Sequence, residues 1–171
     1  MTVRRPAPPS LLVAYRDLGV LKIPPAYQHD IQLARFRAQY PKGIQFNPLL
    51  TDDNFSSCGH MLRPWDKVRV RVFRLGDSAP TNVVIKEMST ESVFVGAQGL
   101  SLVFTHMQDK LENGRRYVAP LPRALALNDG TALKVPCFRF DSELGHEFQL
   151  GFYYAPWLHT SDLILQFERV S

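Results

Sequence analysis

In the segment KVRVRVFR, Lys67, Arg69 and Arg71 alternate with valines. On an extended strand, successive side chains of one face lie about 6.6 Å apart. The three cations would therefore form a regular positive row, opposite a buried face of Val68, Val70 and Val72. Arg63 and Arg74 flank the row, and Arg4 and Arg5 could extend it from the N-terminus. Such a row suits phosphates or acidic side chains, and an exposed Trp65 or Tyr40 would add a surface on which bases stack. The competing reading is the wet face of a half-buried sheet, or an edge strand guarded by charge.

Metal and nucleophile chemistry are less well served. Cys58-Gly59-His60 is not a zinc-knuckle spacing, and no second Cys/His pair answers it. His146-Glu147 lacks the second histidine of HExxH. No structural zinc and no cofactor are expected. A nucleophile can be assembled on paper from Cys58, one of His60, His146 or His159, and Asp162. No GxSxG elbow supports it, however, and five histidines offer many such combinations. Cys137 reads as a small core residue, which leaves the loop from Asp52 to His60 as the place for a reactive group. No catalytic residue is assigned.

Gly96 and Gly99 lie between a short apolar run and a helical pattern, a shape that can hold phosphate. The lysine and hydroxyl of G-x-x-x-x-G-K-[ST] are absent, as is G-x-G-x-x-G. The glycines therefore read as a tight turn with close packing. The aromatic run GFYYAPWLH offers a different site. Tyr153 pointing outward and Trp157 in a turn, with His146 and His159, would line a pocket for a small apolar or sugar ligand, with Cys58 and His60 in a loop acting as its lid. The bland alternative is an aromatic plug at the end of a sheet.

The elements that must position these groups follow from periodicity. Residues 1–10, MTVRRPAPPS, are too proline-rich for regular structure and read as a flexible arm. Pro24 and Pro25 open a helix that reaches about Tyr40. Tyr27, Ile31, Ala34 and Ala38 form one apolar stripe of it, and Leu33, Phe36 and Tyr40 form another. A helix apolar on two sides is sandwiched between neighbours or between subunits. Residues 42–64 show no sustained period and read as a long loop. NVVIKEM is a strand or a helix. Val93–Val95 reads as a short strand, followed by an amphipathic helix over about 99–113 that uses Leu100, Val103, Phe104, Met107 and Leu111. The remainder reads as strands: RRYVAP, a hairpin around Asn128-Asp129-Gly130, and two alternating segments ending in Phe152-Tyr154 and Phe167. Pro136 points to an edge or a bulge in its strand. The fold class is α+β: a largely antiparallel sheet packed with two helices, at about 25–40 and 99–113, in one domain spanning 11–171.

Bulk properties bound the function. Apolar residues make up 45% of the chain, enough for a continuous core. The longest apolar run near the start is LLVAY, so neither a membrane segment nor an export signal is expected. Two distant cysteines without an export signal read as reduced thiols of a cytoplasmic protein. The net charge of +4 is unevenly spread. Residues 1–74 carry twelve Lys/Arg against five Asp/Glu, and residues 75–171 carry eight against eleven, a balance of +7 and then −3. Either the halves attract one another within the fold, or the basic front meets an anionic partner.

The combination RPWDKVRVRVFR, VFVGAQGLSLVF and aromatic C-terminal strands resembles uncharacterised small bacterial proteins, some carried on mobile elements. The resemblance covers about residues 44–170 and implies a bacterial accessory protein, with no activity and no catalytic residue attached. The sequence thus points to a non-catalytic binding module whose basic face meets nucleic acid or an acidic protein. The rivals are a small-molecule protein or enzyme with the aromatic and histidine pocket, and a homodimeric accessory protein joined through the two-sided helix.

Overall fold

A computed structural model describes residues 10–55, 59–88, 90–122, 125–126, 133–152 and 158–170, with 125–126, 133–134 and 151–152 described by backbone alone. The strands are β1 (Leu12–Lys22), β2 (Ile44–Phe46), β3 (Lys67–Leu75), β4 (Arg115–Val118), β5 (Leu125–Ala126), β6 (Leu133–Phe140), β7 (His146–Phe152) and β8 (Leu163–Arg169). Among the described residues the α-helices are α1 (Gln32–Gln39), α2 (Asp52–Phe55), α3 (Thr81–Glu87) and α4 (Gly96–Met107). The strands form one sheet in the order β1-β3-β8-β4-β6-β7-β2, with β5 paired to β6. Neighbours run antiparallel except for β4–β8 and β2–β7, which are parallel. The chain is an α+β fold, with more helices than the sequence suggested. No helix among the described residues is long and apolar enough to cross a membrane.

Alternation sorts the core into two faces. Val68, Val70 and Val72 of β3 join Leu163, Leu165 and Phe167 of β8 in a large cluster with Leu33 and Phe36 of α1 and the apolar side of α4. On the other, outer face, Ile164 of β8 joins Leu75, Val118, Val135, Cys137 and Leu158 under Val84 of α3. Every residue of β8 from Leu163 to Glu168 is buried. It is an interior strand, between β3 and β4, and carries apolar side chains in both directions. α4 is buried nearly all round, Gln98 and Ser101 included, and leaves only Thr105 and His106 towards solvent.

Several expectations are corrected. An eleven-residue strand, β1, occupies a stretch to which periodicity assigns no element. The helix expected from 25 begins only after a 3-10 turn at His29–Ile31, and α1 buries one face: Ala34 and Ala38 are exposed. Within the chain, α1 is packed on one side only. Val93–Val95 is not a strand. It contributes one amide, from Val93 to the Phe167 carbonyl (2.7 Å), and α4 starts at Gly96, three residues early. NVVIKEM is helix α3 in its larger part.

Pro136 lies in an interior strand, not at an edge. Its carbonyl accepts from Ala119 (3.2 Å), one residue past the end of β4. The amide and carbonyl of one strand residue face the same neighbour, so the missing N–H falls where β4 has run out. The hairpin of β5 and β6 pairs as expected, Ala126 opposite Leu133, although its turn at 128–130 lies outside the described residues.

Candidate nucleic-acid interface

The feature that stands out is Trp65, in the turn that leads into β3. The Asp66 amide donates to the Arg63 carbonyl (3.2 Å), and the Arg63 amide donates to the Asp66 carboxylate (2.9 Å). Pro64 pre-sets its own φ, and Trp65 takes φ 70°. This is the pattern of a type II turn, whose third residue is ordinarily Gly or Asn because φ there must be positive. Trp65 is the only non-glycine residue with positive φ among the described residues. A left-handed conformation costs an L-residue about 1–2 kcal/mol. The turn holds because it is strapped to the end of β1: Trp65 donates its amide to Ile23 (3.1 Å), and Ile23 donates to Asp66 (2.8 Å). The strain is not repaid by burial, since Trp65 is 73% exposed. A strained backbone that displays a large aromatic ring to solvent is the kind of outlier from which function is inferred.

Lys22 and Lys67 stand directly opposite one another at the same end of the β1–β3 pair, so their side chains share the outer face. Lys22, Arg63 and Lys67 are exposed and make no ion pair among the described residues. The rest of the expected cationic row behaves differently. Arg69 donates to Asp17 (Nε to Oδ2, 2.8 Å), a hydrogen bond that holds the Asp17 carboxyl below its ordinary pKa. Arg71 faces Glu168 at 3.4 Å. Arg74 belongs by parity with Val68, Val70 and Val72, and its guanidinium lies over the Tyr15 ring, 3.7 Å from the centroid. The alternation is as expected, yet β3 lies between β1 and β8, so the row is not an edge guard, and two of its three members are neutralised. What remains is a compact basic corner of Lys22, Arg63 and Lys67 around Trp65. Arg4 and Arg5 lie outside the described residues. Tyr40, the other candidate for stacking, packs on Phe36 and Phe104 with centroids at 4.9 and 5.3 Å.

The rival pocket is not assembled among the described residues. His60 accepts from the Phe94 amide at Nδ1 (2.9 Å) and stacks on the Phe94 ring. His146 accepts from the Asp141 amide at Nδ1 (3.1 Å) and lies flat on Phe140, with centroids 4.7 Å apart at 12°. Burial holds its pKa below the usual imidazole value. His159 is exposed in a turn whose backbone amide donates to Asp162 (2.8 Å). No contact joins the three histidines. Asp162, the acid of the paper triad, is held bidentately by Arg116 at 3.0 and 2.6 Å. Cys58, Tyr153 and Trp157 lie outside the described residues, and Cys137 is buried. Asp52 accepts from the Leu33 and Ala34 amides (2.9 and 3.0 Å) and from Gln98, so it caps α1 from across the fold. No cluster of three metal-ligating side chains occurs among the described residues.

Gly96 and Gly99 form the first turn of α4 and are buried. A Cβ on Gly96 would meet Leu121 at 2.8 Å, and one on Gly99 would overlap Val95. Both glycines let the helix press against its neighbours, and there is no open loop for a phosphate.

Sequence reasoning named Arg63, Trp65 and Lys67 but missed Lys22, because β1 was not recognised. It also missed Asp17 and Glu168, whose pairing with Arg69 and Arg71 needs the register of three strands. No family model, curated protein or solved structure matches the chain.

Proposed function

We propose that this protein is a non-catalytic nucleic-acid-binding module that uses the Trp65 turn and the basic corner around it. The observation that carries the reading is Trp65: 73% exposed, on a backbone held at φ 70°, next in the fold to three cations that make no ion pair among the described residues. Base–aromatic stacking contributes about 1–3 kcal/mol, and lysine and arginine beside it neutralise phosphates. The basic front of the chain is only partly consumed inside the fold. Arg71–Glu168 and Arg16–Glu112 join the two halves, while Lys22, Arg63 and Lys67 remain available to a partner.

The test is binding of a labelled single-stranded oligonucleotide at several salt concentrations. Three phosphate contacts predict a slope of log affinity against log salt of about −2 for a single strand. Lys22→Glu with Lys67→Glu should flatten that slope and weaken binding at low salt. Binding that ignores salt, or that survives the double reversal unchanged, would overturn the reading.

A further inference from the structure

We infer that His29 and His60 together form a proton-sensitive latch on the loop that carries Trp65, so that acid withdraws the Trp65 corner from its ligand. The inference rests on the reading of Trp65 just given and adds a control to it.

Among the described residues, hydrogen bonds tie the loop 60–66 to the rest of the fold at three places. Trp65 and Asp66 exchange backbone bonds with Ile23 (3.1 and 2.8 Å). The Leu62 amide donates to Nδ1 of His29 (3.4 Å). The His60 amide donates to the Phe94 carbonyl, and the Phe94 amide donates back to Nδ1 of His60 (2.9 Å). Two of the three ties thus use an imidazole nitrogen as acceptor, and only an unprotonated nitrogen can accept.

The surroundings of His29 decide which bond a proton breaks. Its Nδ1 also lies 2.8 Å from the Tyr27 hydroxyl. A proton on Nδ1 can be donated to that hydroxyl oxygen, so the Tyr27 contact survives, whereas at Leu62 two N–H groups then face one another. Leu62 is buried, and a buried amide without a partner drives the segment that carries it towards water. Burial lowers the His29 pKa from 6.5, against Asp52 of α2 and Asp30 of its own turn, which act to raise it. Arg35 of α1, which also packs on this turn, is held by the Ala26 carbonyl and Gln28, and Asp66 of the loop acts on Tyr27. The tied loop is therefore the form that excludes the proton, and the lifted loop takes it up as pH falls below about 6.5. His60 is exposed and makes no ion pair among the described residues. A proton on its Nδ1 removes the Phe94 tie in the same way.

The direction separates a latch from a plain charge effect. Histidines that gain a proton attract phosphate and tighten binding in acid. A latch that opens lowers the fraction of protein able to bind, and so weakens it.

The experiment measures amide exchange at Leu62 and Phe94, and the affinity for a labelled single-stranded oligonucleotide at low salt, at about pH 7.5 and 5.5. It uses the full chain, His29→Asn, His60→Asn and the double variant. An asparagine oxygen stands as many bonds from the backbone as Nδ1 and takes up no proton, so it keeps the tie. In the parent, protection of both amides, corrected for intrinsic rates, should fall about tenfold in acid while that of the β8 amides falls less. Affinity should fall about threefold or more. In the double variant both changes shrink. His60→Asn alone, at an exposed position, should melt like the parent and lose the Phe94 part of the response, so the test does not depend on the double variant folding. Unchanged protection in the parent overturns the inference, as does affinity that holds or tightens in acid, or a double variant with the parent's full response. If protection falls as stated but the parent binds no oligonucleotide at either pH, the latch stands and the Trp65 reading fails.

Discussion

At the scale of the residue, two side chains hold conformations or environments that their type resists. Trp65 occupies a backbone position suited to glycine and buries little of its ring. Trp65→Gly should therefore stabilise the fold by about 1 kcal/mol, the relief of the left-handed strain, while weakening oligonucleotide binding by roughly tenfold or more. Denaturant midpoints and titrations of the same preparation check both halves, and a Gly variant that is both less stable and equally tight would contradict them. His29 is buried, and its Nδ1 accepts from the Leu62 amide (3.4 Å) and contacts the Tyr27 hydroxyl (2.8 Å). An acceptor Nδ1 places the ring proton on Nε2. Burial lowers the His29 pKa below 6.5, and it raises the Tyr27 phenol. Because the unfolded chain then binds the proton more readily than the folded one, the stability linked to His29 is complete above about pH 6.5 and is lost as pH falls below it. His106 and His146 shift in the same direction, so His29→Asn should reduce the slope of stability between about pH 6.5 and 5 without abolishing it. An unchanged slope in urea melts at those pH values would contradict the assignment.

At the scale of the element, legibility followed periodicity. β3 was plain because Val68, Val70 and Val72 alternate without interruption with cations, and the element is a strand buried on that side. β1 was hidden because its register shifts twice, between Ala14 and Arg16 and between Asp17 and Gly19. Each such irregularity changes which face the next residue meets, so LVAYRDLGVLK never shows a period of two. α4 was visible as a helix, but its glycines looked like a loop, since nothing local shows that Leu121 and Val95 fill the space a Cβ would need. α1 is short and its helical start is set from outside: Asp52, some twenty residues on, supplies two acceptors to its amides. Asp52→Ala should cost about 1–2 kcal/mol, the range for losing a helix cap with its amides left buried, as read from thermal or urea unfolding.

At the scale of the whole molecule, the charge split visible in the sequence divides into pairs that hold the fold and cations that do not. Asp162, 4% exposed, is gripped by Arg116 and caps its own turn. Asp162→Asn should destabilise by about 1–3 kcal/mol, because it removes the charge of a buried carboxylate that accepts from Arg116 and from the His159 amide. Glu168 plays the same part for Arg71, so Arg71→Glu should lower stability while Lys67→Glu leaves it unchanged, and melts of the two variants check the difference. That separation could not be read from composition, which counts Arg71 and Lys67 alike. The basic corner at Trp65 was half legible: the turn residues adjoin Lys67 in sequence, whereas Lys22 joins them only through strand pairing.

The most direct measurement is the affinity of the parent and of Trp65→Ala for one single-stranded oligonucleotide at low salt, with matched melts of the two proteins. The account predicts equal folding and a loss of roughly tenfold or more in affinity. Equal affinity, or no binding by the parent, would contradict it.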